Sequence, residues 1–264
     1  LGQAGSGGTQ KAAREFVLGW AKIDGDPAAY LTEHYVTANP NPEGARHLLA
    51  AASDVSHYTI QHRINHANFV ALVEQKGYLD IYIVDPEGHV VYSVGKGAEF
   101  ATNLADGPWA DSGLARAALD ALAAEDPGTV AFSDIGAYAA AAGAPAAFLA
   151  TPVFSARGEK HGALVFRLPI SRIDAILQRP AGLGETGEAY LVAAGGGLHS
   201  NLRLAEAPTI LSRAIDTPAA DAALAGPGSG VMQSPGVSGE AAVAAWAGFE
   251  ASGRPMAVIA EQAE

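Results

Sequence analysis

Cysteine is absent from the 264 residues, which removes disulfide frameworks, thiolate nucleophiles and cysteine-based zinc sites. Either redox compartment is compatible with that absence. Basic residues are scarce: 16 Lys and Arg stand against 28 Asp and Glu, a formal charge of −12, and no block of five basic residues occurs. Such a chain lacks the electrostatic footprint of a nucleic-acid binder. Long apolar runs are also missing. The longest uncharged apolar stretches, such as Ile135 to Phe154, are Ala-rich and broken by Gly and Pro, and none reads as a span of about 20 residues. No basic segment followed by an apolar one opens the chain, and Leu1, standing where an initiator Met would, reads as the start of a fragment or a processed product. The G-x-S-x-G elbow, the P-loop, H-E-x-x-H and a G-x-G-x-x-G after a strand are all lacking, so no catalytic class, cofactor or metal is called for. Gly182 to Glu185 and Gly195 to Gly197 lack the Lys-Ser/Thr of a phosphate loop and read as turns.

What is present is apolar: 49% hydrophobic against 17% charged residues, a balance that excludes disorder and suits one large domain or two small ones. The Gly/Ser-rich Leu1 to Gly8 reads as a flexible lead-in. Phe16, Trp20 and Ile23 share a helical face up to Asp26-Pro27, and Asn39-Pro40-Asn41-Pro42 is a break. From Leu48 to Val73 an apolar stripe steps by four and three, with Gly77 as its cap. It predicts a stalk-like helix of about 30 residues, about 45 Å long. Tyr78 to Val84, the turn Asp85-Pro86-Glu87-Gly88 and His89 to Val94 then form a hairpin. A helix over Ser112 to Ala124 and strands at Thr129 to Ser133, Ala146 to Phe154 and Gly162 to Leu168 follow. The pattern restarts at Pro169. It runs through a short helix at Ile170 to Leu177, strands at Tyr190 to Val192 and Leu198 to Asn201, a helix near Pro218 to Ala225, and strands at Gly230 to Ser234, Ala241 to Phe249 and Pro255 to Glu261. Short connections favour antiparallel pairing. The element order therefore occurs twice.

The hairpin Gly77-Tyr78-Leu79-Asp80-Ile81-Tyr82-Ile83-Val84-Asp85-Pro86-Glu87-Gly88 with Val90-Val91-Tyr92-Ser93-Val94 resembles the membrane-distal module of double Cache sensor domains. So do Phe100 to Leu104 and Gly107 to Leu114, while Gly182 to Val192 resembles the opening of the membrane-proximal module. The resemblance implies an α+β fold: a long N-terminal helical stalk and two tandem PAS-like modules, each a mostly antiparallel sheet flanked by helices. Residues 1–76 would be lead-in and stalk, 77–168 the distal ligand-binding module and 169–264 the proximal relay module. It also implies an extracytoplasmic, periplasmic region of a bacterial chemotaxis transducer, histidine kinase or nucleotide cyclase. That region would lie between transmembrane helices outside this fragment and dimerise through its stalk. The family's amino-acid pattern, an Arg followed by Trp-Tyr, is not found on the approach to the hairpin, so the expected ligand is a small carboxylate ahead of an amine or amino acid. The proximal module is poor in polar side chains and reads as a relay.

His62 and His66 are four residues apart on the stripe. They would chelate a metal only with a third ligand, and otherwise either pack or face the distal pocket and donate to an anion. Tyr82, Tyr92 and Ser93 lie on the hairpin, where alternate residues face the concave side. Trp109, Asp111 and Ser112 precede a helix whose amides suit a carboxylate, Ser112 capping it on the plainer reading. Ser133, Asp134, Tyr138 and Thr151 bring hydroxyls and an acid near a strand end. These twelve residues are the candidate ligand site. The alternatives are a hydrolase-type enzyme using His62, His66, Asp85 and Asp134, and a structural stalk with empty modules.

Overall fold

Ala13, Phe16, Val17 and Trp20 recur at helical spacing and all four are buried, so the chain from Gln3 to Trp20 is a helix, α1. The computed structural model describes residues 3–179, 181–251 and 253–263. The Gly/Ser-rich opening belongs to α1 from Gln3 onward, because a nucleated helix gains one hydrogen bond for each residue it adds; Leu1 and Gly2 lie outside the described residues. Helix α2, Pro27–Thr32, is capped by Asp26, which accepts from Ala28 and Ala29 N–H.

The predicted stripe from Leu48 becomes a shorter helix, α3, His57–Lys76. Ser56 caps it by accepting from Thr59 N–H, and Gly77 closes it in the left-handed region at φ 66°. Leu48 and Val55 stay outside the helix and are 65% and 83% exposed. The polar residues between them divert the backbone: the Asp54 carboxylate accepts from Tyr30, Thr59 and the Ser56 N–H. Within α3 the stripe holds, with Thr59, His62, His66 and Phe69 buried. No 30-residue stalk is present among the described residues; α1 and α3 instead cover one face of a sheet.

That sheet contains β1 (Asp80–Val84), β2 (Val90–Ser93), β3 (Ala131–Phe132), β4 (Gly136–Tyr138), β5 (Ala144–Phe154) and β6 (Lys160–Leu168), with α4 (Gly113–Ala123) between β2 and β3. Its order is β2-β1-β6-β5-β3, β4 pairing beside β5. Alternation splits the side chains. Ile81, Ile83, Tyr92, Leu164 and Phe166 pack under α1 and α3. Tyr82, Val84, Phe148, Ala163 and Val165 pack under the alanines of α4. The register sets Tyr82 opposite Ser93 and Ile83 opposite Tyr92.

After α5 (Ser171–Leu177) come β7 (Glu188–Ala193), α6 (Pro218–Leu224), β8 (Gly228–Pro235), β9 (Ala241–Ala251) and β10 (Arg254–Ala263), in the order β7-β10-β9-β8. This is the first sheet's order without the outer hairpin strand. The expected strand at Leu198 to Asn201 makes only an isolated bridge, Val192 with Leu198. There Ser200 Oγ accepts the Leu191 N–H that a full strand would have bonded. All pairings in both sheets are antiparallel. By contact the chain divides into two units, one of residues 1–133 and 138–168, the other of 134–137 and 169–264.

Candidate ligand-binding site

In the first unit the two sheet faces differ in chemistry. Under α1 and α3 the face is filled by rings. Phe16 lies 4.2 Å from the Tyr92 ring, Phe69 5.2 Å from it, and His62 stacks on His66 at 4.3 Å. His66 Nδ1 and the Tyr92 hydroxyl share a hydrogen bond of 2.7 Å, and His66 Nε2 bonds the His47 carbonyl. His62 Nδ1 bonds the Ala50 carbonyl. Burial, then the Lys96 charge, pushes His66 down to about 3 and His62 well below the usual imidazole value. His62 Nε2 is also buried without a partner, but with Nδ1 bonded to a carbonyl the neutral ring leaves a lone pair there and no donor for an anion, so His62, His66 and Tyr92 pack as core residues. Thr151 alternates with Leu149 and Val153 onto the same face.

The α4 face carries polar atoms with nothing to bond. Tyr82 Oη, Tyr138 Oη and Arg167 Nε are buried without a hydrogen-bond partner, a condition native proteins rarely leave unexplained. Tyr82 is fully buried and Tyr138 is 2% exposed. The Arg167 guanidinium lies 5.0 Å from the centre of the Tyr138 ring, and both tyrosines flank Phe148. Burial, then Asp80, Glu99 and Tyr138, holds the Tyr82 phenol well above its ordinary value. Burial, then Glu99, does the same for Tyr138, with Arg167 opposing. Glu99 is 3% exposed and raises both phenols by its charge, acting on Tyr82 through a side-chain hydrogen bond as well. Ser93 shares this face through its pairing with Tyr82, and its Oγ accepts the Lys96 N–H. Ser133 Oγ accepts the Phe148 N–H. Trp109 donates from Nε1 to the Ala98 carbonyl beside Glu99. Two phenols and a guanidinium on one sheet face beside a buried acid form a polar set suited to a small polar ligand.

No family model and no curated protein matches the sequence. Solved structures do match the fold. The extracellular domain of rpHK1S-Z16, described as a histidine kinase, superposes with a TM-score of 0.53 at 16% identity, over 96% of this chain and 89% of that one. The ligand-binding domain of the Pseudomonas aeruginosa PAO1 amino acid chemoreceptor PctC, in complex with GABA, gives 0.51 at 16% identity over 97% of both chains. The periplasmic sensory domain of the Campylobacter jejuni chemoreceptor Tlp1 gives 0.50 at 14%, over 98% of this chain and 91% of that one. The chain has the fold of receptor sensor domains.

Of the twelve sequence-derived residues, this sensor fold brings Tyr82, Ser93, Ser133 and Tyr138 to the α4 face, with Trp109 at its edge. Ser112 caps α4 by accepting the Ala115 N–H, and Asp111 is exposed. Asp134 belongs to the second unit, paired with His199 at 3.2 Å and Arg254 at 3.5 Å. Asp85, part of the enzyme alternative, holds the hairpin turn through the Glu87 and His89 N–H groups.

Sequence reasoning missed Asp80, Glu99 and Arg167. Two were legible by period: Asp80 shares a face with Tyr82, and Arg167 stands opposite Asp80 in the ladder. Asp80 is itself satisfied, accepting the Ile81, Val94 and Gly95 N–H groups, although burial and Glu99 raise it to about 7. The second unit also departs from the relay expectation. A cavity of about 410 Å³ is lined there by Glu185, Glu188, Arg213, Glu240 and Glu261, among others. Glu188 and Glu261 belong to β7 and β10, while Glu185, Arg213 and Glu240 come from loops. Its two buried acids are satisfied: Glu261 accepts from Tyr190 and Val237, and Glu188 from Arg203 and Leu204.

Proposed function

We propose that this chain is the extracytoplasmic ligand-sensing region of a membrane receptor, and that its first unit binds a small molecule bearing a carboxylate on the α4 face. The observation that carries the reading is the trio of unpartnered donors, Tyr82 Oη, Tyr138 Oη and Arg167 Nε, on one sheet face of a sensor fold. A carboxylate supplies the acceptors these groups lack, and charge-assisted bonds to Arg are the stronger kind. No helix among the described residues is long and apolar enough to cross a membrane. The first unit is the membrane-distal module, the second relays its state, and the receptor works as a homodimer. A ligand drives such a relay only by binding one arrangement better than the other. Calorimetric titration with acetate, lactate, succinate and longer monocarboxylates tests the site. At least one should bind, and Arg167→Ala should weaken it about tenfold or more, as expected for a lost charged hydrogen bond worth about 1.5–3 kcal/mol. Binding that Arg167→Ala leaves untouched overturns the assignment of the site.

A further inference from the structure

Basic side chains are scarce in this chain, 16 Lys and Arg against 28 acids, yet Arg14, Arg157 and His161 line one hollow of about 350 Å³ in the first unit. Arg14 and Leu18, one helical turn apart, come from α1. Ser155, Arg157 and Glu159 come from the turn that joins β5 to β6, and His161 comes from β6 itself. Helix α1 covers the sheet face opposite α4, so the hollow is separate from the polar set of Tyr82, Tyr138 and Arg167.

The turn is held from within. Ser155 Oγ accepts the Arg157 and Glu159 N–H groups, the Ser155 N–H donates to the Glu159 carbonyl, and Gly158 takes the left-handed φ of 80° that the turn requires. Arg157 therefore stands on a fixed backbone, and none of the ion pairs among the described residues includes it. The other two basic groups are loosely matched. Arg14 donates from Nη2 to Glu15 Oε1, but neighbours one residue apart leave a helix on different sides and do not face each other. Arg14 Nε is buried without a partner. Glu159, the one acid lining the hollow, is 67% exposed, and its Oε2 lies 4.0 Å from His161 Nε2. Pairs so exposed contribute little, so both acids can yield their cations to a better acceptor.

We propose that this hollow is an oxyanion site that takes a tetrahedral phosphate or sulfate head, as the free ion or as a monoester. Guanidinium groups match such heads through paired N–H donors. A phosphate head also presents three strong acceptor oxygens, one for each basic group, where a carboxylate presents two. The site is independent of ligand binding on the α4 face.

Amide chemical-shift mapping of the whole chain tests it, at neutral pH and a constant ionic strength of about 0.1 M, where long-range attraction is screened. The titrants are inorganic phosphate, sulfate and glycerol 1-phosphate, with sodium chloride as the control. Phosphate should bind saturably with a Kd of about 1 mM or tighter, and the shifts should centre on residues 14–18 and 155–161. Whichever of phosphate and glycerol 1-phosphate binds more tightly identifies the source of the head, and either order supports the site. Arg157→Gln should weaken phosphate about three- to tenfold, the range for one partly exposed charged hydrogen bond, and melt within about 2 °C of wild type. Arg14→Gln should weaken it as well. Glu159→Gln, which removes the opposing acid, should tighten it about two- to threefold. Shifts that grow without saturating, that chloride reproduces, or that centre elsewhere overturn the proposal. So does a phosphate affinity that Arg157→Gln and Arg14→Gln both leave unchanged.

Discussion

Two histidines side by side in an aromatic core make the first unit sensitive to acid. His62 and His66 both sit well below the free value of 6.5 because burial penalises their charged forms. As pH falls below 6.5 the unfolded chain takes up protons that the folded rings refuse, so stability drops by about 1.4 kcal/mol per pH unit for each ring. Asp80 works the other way: at about 7 in the fold against 3.8 free, it is protonated first in the folded state, so stability gains between pH 7 and 3.8. Lys96, lowered to about 7 from 10.5, is protonated in both states below neutrality and adds no slope there. Two histidines against one carboxyl leave a net loss of stability as pH falls below 6.5, with a slope of about 1.4 kcal/mol per unit while both rings stay neutral. Urea unfolding followed at pH 6.5, 5.5 and 4.5 should show that slope. A flat profile would mean that the rings charge freely and are not sealed in the core.

At the scale of elements, α1 and α4 bury opposite faces of one sheet, and their contributions should separate cleanly. Phe16 touches Tyr58, His62, Phe69 and Tyr92, so Phe16→Ala should cost about 3–5 kcal/mol by opening a cavity. Ser112→Ala, which removes only the α4 cap, should cost about 1 kcal/mol. Chemical denaturation of both variants checks the ratio, and equal losses would place α1 outside the core. These elements also show what the sequence made legible. The hairpin with its Asp85-Pro86-Glu87-Gly88 turn, the alanine face of α4 and the three closing strands of each unit follow from period and turn chemistry alone. The α3 start at Ser56 did not, because the stripe continued through Leu48, Ala52 and Val55 and only the tertiary bonds of Asp54 end it. The site was half visible for a related reason. Alternation identifies which hairpin residues share a face, but not which face a helix fills. His62 and His66 therefore looked as suitable as Tyr82 and Tyr138 until the rings of Phe16 and Phe69 occupied their side.

Across the whole molecule, two units built on the same strand order differ in how they satisfy their buried polar groups. In the second, Glu188 and Glu261 tie loops to the sheet and leave a cavity of about 410 Å³ beside them. In the first, Tyr82, Tyr138 and Arg167 keep free valences around Glu99. The polar cluster on the α4 face is the reason for proposing ligand binding in the first unit and transmission in the second. Amide chemical-shift mapping during titration with a bound carboxylate tests it most directly. The account predicts that the largest shifts fall at Tyr82, residues 95–100, Tyr138 and Arg167. Largest shifts at Glu188, Arg213 and Glu261 would contradict it and move the ligand to the second unit.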